Sequence, residues 1–333
     1  MGEFNEGAKP KSGILGRALT GNVFVKHNLA FMNEGDKDGY NVYKQDIRNG
    51  LAARTDDPAS SFSNTAKKKN YKRSLSVWET KESFNPAEWE QFWLEYQPAG
   101  EFQWQGLPAE VQAQFEELFL GGTEEANEDA LTNGFSEGGT TITGLVPQLL
   151  SSALTSLDGN VATPTQITEN SSISFRAHSG GTGDNLGVAL TTDNVFEKLE
   201  ILIRNQSKAM RQRQNRKFMV SHGTADIMKE AQRLKLNFKG VDVTEAGIMR
   251  YAGYEFVENP SFPDNTILLA SMGGNMKTDS IQLGTSKSSD FNNLAVARLS
   301  EFNRKWAMVL TFATDIFVVR PEEICFYSDQ AVA

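Results

Sequence analysis

Three histidines could act as metal ligands or proton carriers: His27, His178 and His222. They lie far apart in the chain. None stands in the HExxH or HxH spacing that puts two imidazoles on one helix face or one strand face. Exposed or capping roles suit their local sequence better than a metal site or a triad. No GxSxG turn offers a nucleophile and no GxxxxGK[ST] loop offers a phosphate cradle. Gly180-Gly181-Thr182-Gly183 is glycine-rich, but no strand leads into it and no Lys follows, so it reads as a loop. Glu116-Glu117, Glu124-Glu125 and Glu128-Asp129 are paired carboxylates. Acid–base work would need a desolvated pocket that splits their pKa values, and these pairs fall on the solvated faces of a predicted helix. Cys325, the one cysteine, sits in the apolar run ICFY and reads as buried and inert. A single cysteine excludes an intrachain disulfide and a cysteine-based zinc site. No cofactor, no metal and no catalytic residue is expected, and the chain is read as a non-enzyme.

The charged residues are more informative. The segment from Ile201 to Lys217 holds Arg204, Lys208, Arg211, Arg213, Arg216 and Lys217 and no acid. It can be a phosphate contact facing DNA, or an exposed helix end whose cations complement the dipole. A net charge of −9 and a pI near 5.1 argue against a dedicated nucleic-acid binder. A larger asymmetry lies upstream. From Glu82 to Phe175 there is no Lys or Arg, yet fifteen of the 42 acidic residues are there. Just before that stretch stand Lys67, Lys68, Lys69, Lys72 and Arg73. Single-sign surfaces repel themselves, whereas a chain that meets copies of itself can set its basic strip on a neighbour's acidic face and so favour correct pairing. The expected contact runs from those five basic residues to Glu116, Glu117, Glu124, Glu125, Glu128 or Asp129 of an adjacent subunit.

The 333 residues suffice for two or three cores, and 39% hydrophobic with 10% aromatic residues marks a folded protein. No apolar run nears the ~18 residues of a membrane span. The polar start from Met1 to Ser12 does not read as a signal peptide, and a soluble protein of a reducing cytoplasm fits these features.

Met1 to Ser63 reads as an extended arm with little core of its own. A lysine-rich turn is expected from Asn64 to Lys72 and a strand from Arg73 to Thr80, together a projecting two-stranded loop. Asn85-Pro86 starts a helix with Trp89, Phe92, Trp93 and Tyr96 on one stripe. Leu107 to Phe135 is the longest helical candidate. Its expected inner stripe is Val111, Phe115, Leu118, Gly122, Ala126, Asp129 and Asn133, and Gly121-Gly122 is expected to weaken or kink it. A short helix is expected over Leu149 to Leu154, and Ser156 to Gly187 reads as loop. A helix from Thr192-Asp193 to about Arg213, a strand at Lys217 to Ser221, a helix capped by Thr224, and strands at Tyr254 to Val257 and Thr266 to Ser271 follow, before a β-rich finish from Asn293 to Tyr327. The class is α+β.

This order of elements resembles the major capsid proteins of tailed bacteriophages, with the Hong Kong 97-like fold. The resemblance covers most of the chain and rests on pattern. It includes the polar arm, the Lys67 to Thr80 hairpin, the Pro108 to Gly134 helix with its exit at Gly144-Leu145, and Tyr251-Ala252-Gly253-Tyr254-Glu255-Phe256-Val257 followed by Asn259-Pro260, Pro263-Asp264-Asn265 and Ile267-Leu268-Leu269-Ala270. It implies an N-terminal arm (1–63), an extended β-hairpin loop (64–83), a peripheral domain with a long spine helix (84–155), an axial domain (156–272) and a β-rich return to the peripheral domain (273–333). It implies a structural protein of the virion capsid, assembled in the host cytoplasm. Pentamers and hexamers of such a protein form an icosahedral shell around double-stranded DNA that is held without sequence preference. The implied partners are the chain itself and portal, scaffolding and decoration proteins, with no membrane. Two alternatives stand beside it: an encapsulin-like nanocompartment of the same fold with an enzyme cargo, and a soluble enzyme with a distributed active site.

Overall fold

A computed structural model describes residues 22–35, 40–47, 66–73, 75, 77–96, 102–104, 108–137, 140–151, 154–155, 161–162, 177–178, 189–234, 241–243, 249–275, 278–286, 294–300 and 303–329. Most of the Met1 to Ser63 arm, most of Ser156 to Gly187 and the Gly180-Gly183 loop lie outside the described residues. The elements run Val23–Lys26 (α1), Phe31–Gly35 (β1), Tyr40–Ile47 (β2), Ala66–Arg73 (β3) and Val77–Phe84 (β4). A 3-10 turn at Pro86–Trp89 and Glu90–Trp93 (α2) lead to the long helix Ala109–Asn133 (α3). Phe135–Glu137 (β5), Thr140–Ile142 (β6), Leu145–Leu150 (α4), Leu154–Thr155 (β7), Val161–Ala162 (β8) and Ala177–His178 (β9) follow. Then come Val195–Arg204 (α5), Lys208–Arg211 (α6), Arg216–Val220 (β10), His222–Leu234 (α7), Val241–Val243 (β11), Met249–Tyr251 (β12), Tyr254–Glu258 (β13), Ile267–Ser271 (β14), Ile281–Ser286 (β15), Leu294–Ser300 (β16), Asn303–Val318 (β17) and Ile324–Tyr327 (β18).

Two sheets organise these elements. The first has the order β1-β15-β17-β16, with β4 also paired to β17, and the second has the order β11-β12-β13-β10-β14-β18-β9. The architecture is α+β. One apolar cluster joins the sheets: Ile281, Leu283, Ile316 and Val318 of the first meet Met219, Val257, Leu268, Ala270, Ile324 and Phe326 of the second. A second cluster packs α5 and α7 on the seven-stranded sheet through Leu199, Leu202, Met228 and Ala231. A third seats Val111, Phe115, Phe119 and Leu120 of α3 on Met308, Leu310 and Phe312 of β17. Buried Gln148 completes the edge of β17 where no strand follows β4. It donates to the Thr143 carbonyl (2.7 Å) and the Ile316 carbonyl (2.8 Å) and accepts from the Val318 N–H (3.3 Å). One side-chain amide thus satisfies backbone groups that would otherwise be buried without partners.

Several expectations are corrected. Ala66–Arg73 is a strand rather than a turn, and it pairs antiparallel with Tyr40–Ile47, inside the segment read as an arm. Lys has low β-propensity, but pairing overrides it, and Val42 within that ribbon is fully buried. The strand expected at Arg73 to Thr80 lies at Val77–Phe84 and pairs with β17, not with its lysine-rich neighbour. The inner stripe of α3 is also different. Leu118 is 66% exposed, and the buried side holds Phe119, Thr123, Asn127, Glu128, Leu131 and Thr132. Its polar members hid it, because a search for apolar period follows Leu118 instead. The helix runs without interruption through Gly121-Gly122. The short helix expected at Leu149 to Leu154 is Leu145–Leu150. The helix expected to reach Arg213 stops at Arg204, and Lys208–Arg211 is separate. Helix α7 begins at His222, and Ser221 Oγ, not Thr224, supplies the cap by accepting the Thr224 N–H (3.0 Å). The closing strand Ile324–Tyr327 pairs with β14 in the second sheet.

The chain crosses from the second sheet to the first through residues 272–280. Asp279, fully buried, shapes this crossing by accepting N–H bonds from Gly273 (3.0 Å) and Asn275 (2.8 Å). Burial pushes its carboxyl from 3.8 up to about 6, against the opposing effect of those backbone donors and the Thr278 hydroxyl. A raised carboxyl pKa means the folded chain binds a proton that the unfolded chain has already lost. This group's contribution to stability is therefore complete below pH 3.8 and is lost as pH rises to about 6, an effect of about 3 kcal/mol. Urea midpoints measured at pH 4.5 and pH 7 are expected to differ less in Asp279→Asn than in the parent chain. Identical profiles in the two proteins would refute the assignment.

Candidate interaction surface

The basic residues near Lys67 lie on a two-stranded ribbon. Its register sets Tyr40 against Arg73, Val42 against Tyr71, Lys44 against Lys69, Gln45 against Lys68 and Asp46 against Lys67. Two like charges directly opposite destabilise a ladder, so the Lys44–Lys69 pair places positive charge where the ribbon itself gains nothing from it. Lys44 was not picked out from the sequence; only the strand register reveals it. Asp46 is the one acidic residue in the two paired strands.

Arg73 differs from the lysines. Its Nε donates to Asp315 Oδ2 (3.1 Å), and its guanidinium lies 4.0 Å from the centroid of the Phe317 ring. Val42, Phe317 and Val319, with Leu75 against them, form a small apolar cluster at the same place. The structure therefore uses Arg73 to fasten the base of the ribbon to β17.

The acidic candidates on α3 divide by burial. Glu117, Glu125 and Asp129 are exposed, Glu116 and Glu124 half-buried, and Glu128 buried. Burial and the neighbouring Glu124 push the Glu128 carboxyl up, while the Val23 backbone N–H, His222 and Lys26 pull the other way. Glu128 thus faces α1 and α7 within its own chain and is removed from the outward set. The exposed face contains Leu118 beside Gly121 and Gly122, with open space over both glycines. Below them Gly122, Glu125, Ala126 and Asp129 form a shallow furrow with Pro260 and Ser261. Asn133 holds the far side of that furrow, donating to Asp129 Oδ1 (2.7 Å) and the Ser261 carbonyl (2.8 Å).

The basic run near Arg213 is mostly engaged inside the chain. Arg204 pairs with Glu200 (2.8 Å), and Arg211 donates to the Arg204 carbonyl. Arg213 binds Glu323 through two bonds (2.9 and 2.7 Å). Arg216 binds Gln206 and lies over Tyr254. Lys217 reaches Glu255 and the His27 carbonyl, both at 3.2 Å. Lys208 is exposed. The run does not form one free cationic face.

The remaining sequence candidates do not converge. His27 follows α1, where burial, Lys26 and Lys217 lower its pKa; His178 lies in β9; His222 Nδ1 is 2.7 Å from Glu258 Oε2. Cys325 is buried. Among the described residues no group of three or more His, Cys, Asp and Glu is placed to hold a metal, and no helix is long and apolar enough to cross a membrane.

No family model matches the chain, and no curated protein is similar to it in sequence. Solved structures are similar in fold. A chain from the capsid of an empty GTA particle superposes with a TM-score of 0.54 at 13% identity, covering 93% of this chain and 91% of that one. A chain from the capsid of a native GTA particle gives 0.52 at 13% identity with the same coverage. A chain of the procapsid of satellite phage P4, in a structure that includes the size determination protein, gives 0.51 at 10% identity, covering 96% and 99%. The chain has the fold of phage capsid proteins.

Proposed function

We propose that this chain is a major capsid protein that tiles a closed shell with copies of itself. The capsid fold along nearly the whole chain carries the reading. Pentamers and hexamers enclosing double-stranded DNA belong to it, as do assembly in a host cytoplasm and portal, scaffolding and decoration partners. In this reading the first sheet and α3 form the peripheral part, the second sheet forms the axial part, and α3 serves as the spine. The β2–β3 ribbon is the extended loop, so its strands begin upstream of the 64–83 segment expected from sequence.

The ribbon and the acidic face of α3 supply the contact between subunits. Lys67, Lys68, Lys69 and Lys72, with Lys44, lie on the exposed Glu117, Glu125 and Asp129 of a neighbour, and Glu116 and Glu124 flank them. Arg73 sets the ribbon's base and does not reach across. Each exposed pair gives only ~0.2–1 kcal/mol, so the contact works by register and by repetition over the lattice. Lys208 and the outward faces of Arg204 and Arg211 are the part of the second basic run that can meet packaged DNA.

Negative-stain microscopy of the purified chain tests this reading. Closed shells are expected. Compact single molecules at every concentration and salt would overturn it. Nuclease-protected double-stranded DNA inside native particles separates a virion from a shell of the same fold that carries protein cargo.

A further inference from the structure

Two of the chain's passages between the sheets, at residues 272–280 and 319–323, lie side by side. The Ser280 carbonyl accepts the N–H groups of Val319 (2.8 Å) and Arg320 (3.3 Å), and Ser280 Oγ donates to the Glu323 carbonyl (3.3 Å). Two guanidinium groups approach one carboxylate in this seam. Arg213, from the basic segment before β10, donates Nε to Glu323 Oε2 and Nη2 to Glu323 Oε1. Arg320, from the passage itself, brings Nη1 to 3.9 Å from Glu323 Oε1. Arg320 is fully buried, and its Nε, Nη1 and Nη2 have no hydrogen-bond partner among the described residues.

A buried guanidinium with no hydrogen bond and only one long ion contact is unfavourable, and native proteins rarely leave one so. The two arginines are not equivalent. The Arg213 side chain is 24% exposed, so water can solvate it if it leaves Glu323; the Arg320 side chain is 0% exposed and has no such recourse. Glu323, itself 3% exposed, must keep a cation wherever it turns.

We propose that Glu323 is handed between the two arginines. In the arrangement observed, Arg213 holds the carboxylate and ties the turn between α6 and β10 to the passage between the sheets. In the second arrangement a movement of about 1 Å closes the 3.9 Å gap to normal hydrogen-bond length. Glu323 then neutralises Arg320, and Arg213 swings into solvent. The Arg213 side chain can leave without an unpaired carboxylate remaining in the core. Arg320 is the reserve partner that makes the latch releasable, and this role does not depend on the shell-forming reading above.

A double-mutant cycle tests the handover in the full chain, with urea unfolding as the measurement. Arg213→Met alone is expected to lower the folding equilibrium constant by no more than about tenfold, because Arg320 takes over Glu323. Arg320→Met alone is expected to leave the constant unchanged or raise it, since it removes a buried charge that makes no hydrogen bond. The double variant is expected to fall by about a hundredfold or more, because Glu323 is left without a cation. Additive losses in the cycle would overturn the proposal. So would a loss of about a hundredfold for Arg213→Met alone. Arg320→Gln is the second variant, neutral but still able to donate. If neither Arg320 variant folds while Arg213→Met does, then Arg320 is bound in the resting arrangement and the handover is wrong.

Discussion

Gly144→Ala is expected to lower the stability of the folded chain by about 4 kcal/mol or more, placing it among the rare severe single substitutions. A Cβ at this position would stand 2.1 Å from the Gly134 nitrogen, 2.6 Å from the Asn133 carbonyl carbon and 2.7 Å from the Thr132 oxygen. All three are backbone atoms at the end of α3, so no side chain can turn aside. Gly134 has φ +85°, a left-handed conformation that favours glycine, and it too is packed against Gly144. The chain leaves α3, forms β5 and β6, and returns to within contact of the helix end before starting α4. An added methyl must separate these two passages and drag Leu145 and Leu149 from the central core. Gly122→Ala is the control. It adds the same methyl within α3, but nothing lies within 4 Å of it. That change is expected to be neutral or to stabilise by up to ~1 kcal/mol through helix propensity. Urea midpoints for the two variants should move in opposite directions or differ severalfold; a Gly144→Ala midpoint matching the parent would refute the packing argument.

Reversing Lys67, Lys68 and Lys69 to Glu together is expected to abolish shell formation at concentrations where the parent chain assembles. Each reversal moves the net charge by two, from −9 toward −15. It also turns a favourable contact of ~0.2–1 kcal/mol into a repulsive one. Three such changes per subunit amount to about 1.2 kcal/mol at the low end, which is roughly an eightfold change in the concentration needed for assembly, before repetition over the lattice multiplies it. The ribbon itself should survive, because Lys69→Glu removes a like-charge pair with Lys44 while Lys67→Glu creates one with Asp46, so the two changes offset. Unfolding midpoints therefore stay near the parent value while shells vanish from light scattering and micrographs. Reversing Glu117, Glu125 and Asp129 to Lys in the same chain is expected to restore assembly. Normal shells from the lysine variant alone would remove the docking contact from the proposal.

Much of the scaffold was readable before any coordinates. The run from Pro108 to Gly134 carries a proline start, a strong helical composition and a glycine stop, and the helix lies at Ala109–Asn133. Tyr254, Ile267 and the dense apolar finish around Trp306 identified strands because period and turn residues act locally. The charge segregation was visible because it is linear in the chain. The candidate surface was less legible. Glu128 looked like its solvated neighbours and is buried, because helix rotation is set by what α3 packs against. Arg73 looked like one more cation in a basic strip, yet Asp315, 242 residues away, claims it.

The sequence by itself determined the class of fold, the long helix, the imbalance between a basic strip and an acidic stretch, and the lack of any local motif for catalysis. Those are properties of neighbours along the chain. Only the tertiary structure decided that Lys69 stands opposite Lys44, that Glu128 turns inward, that most of the Arg204 to Lys217 cations are already engaged, and that Arg320 lies buried beside Glu323 without a hydrogen bond. The Lys44–Lys69 register, the Arg213–Glu323 pair and the burial of Glu128 depend on groups far apart in sequence, and their geometry exists only after loop closure and burial have brought them together.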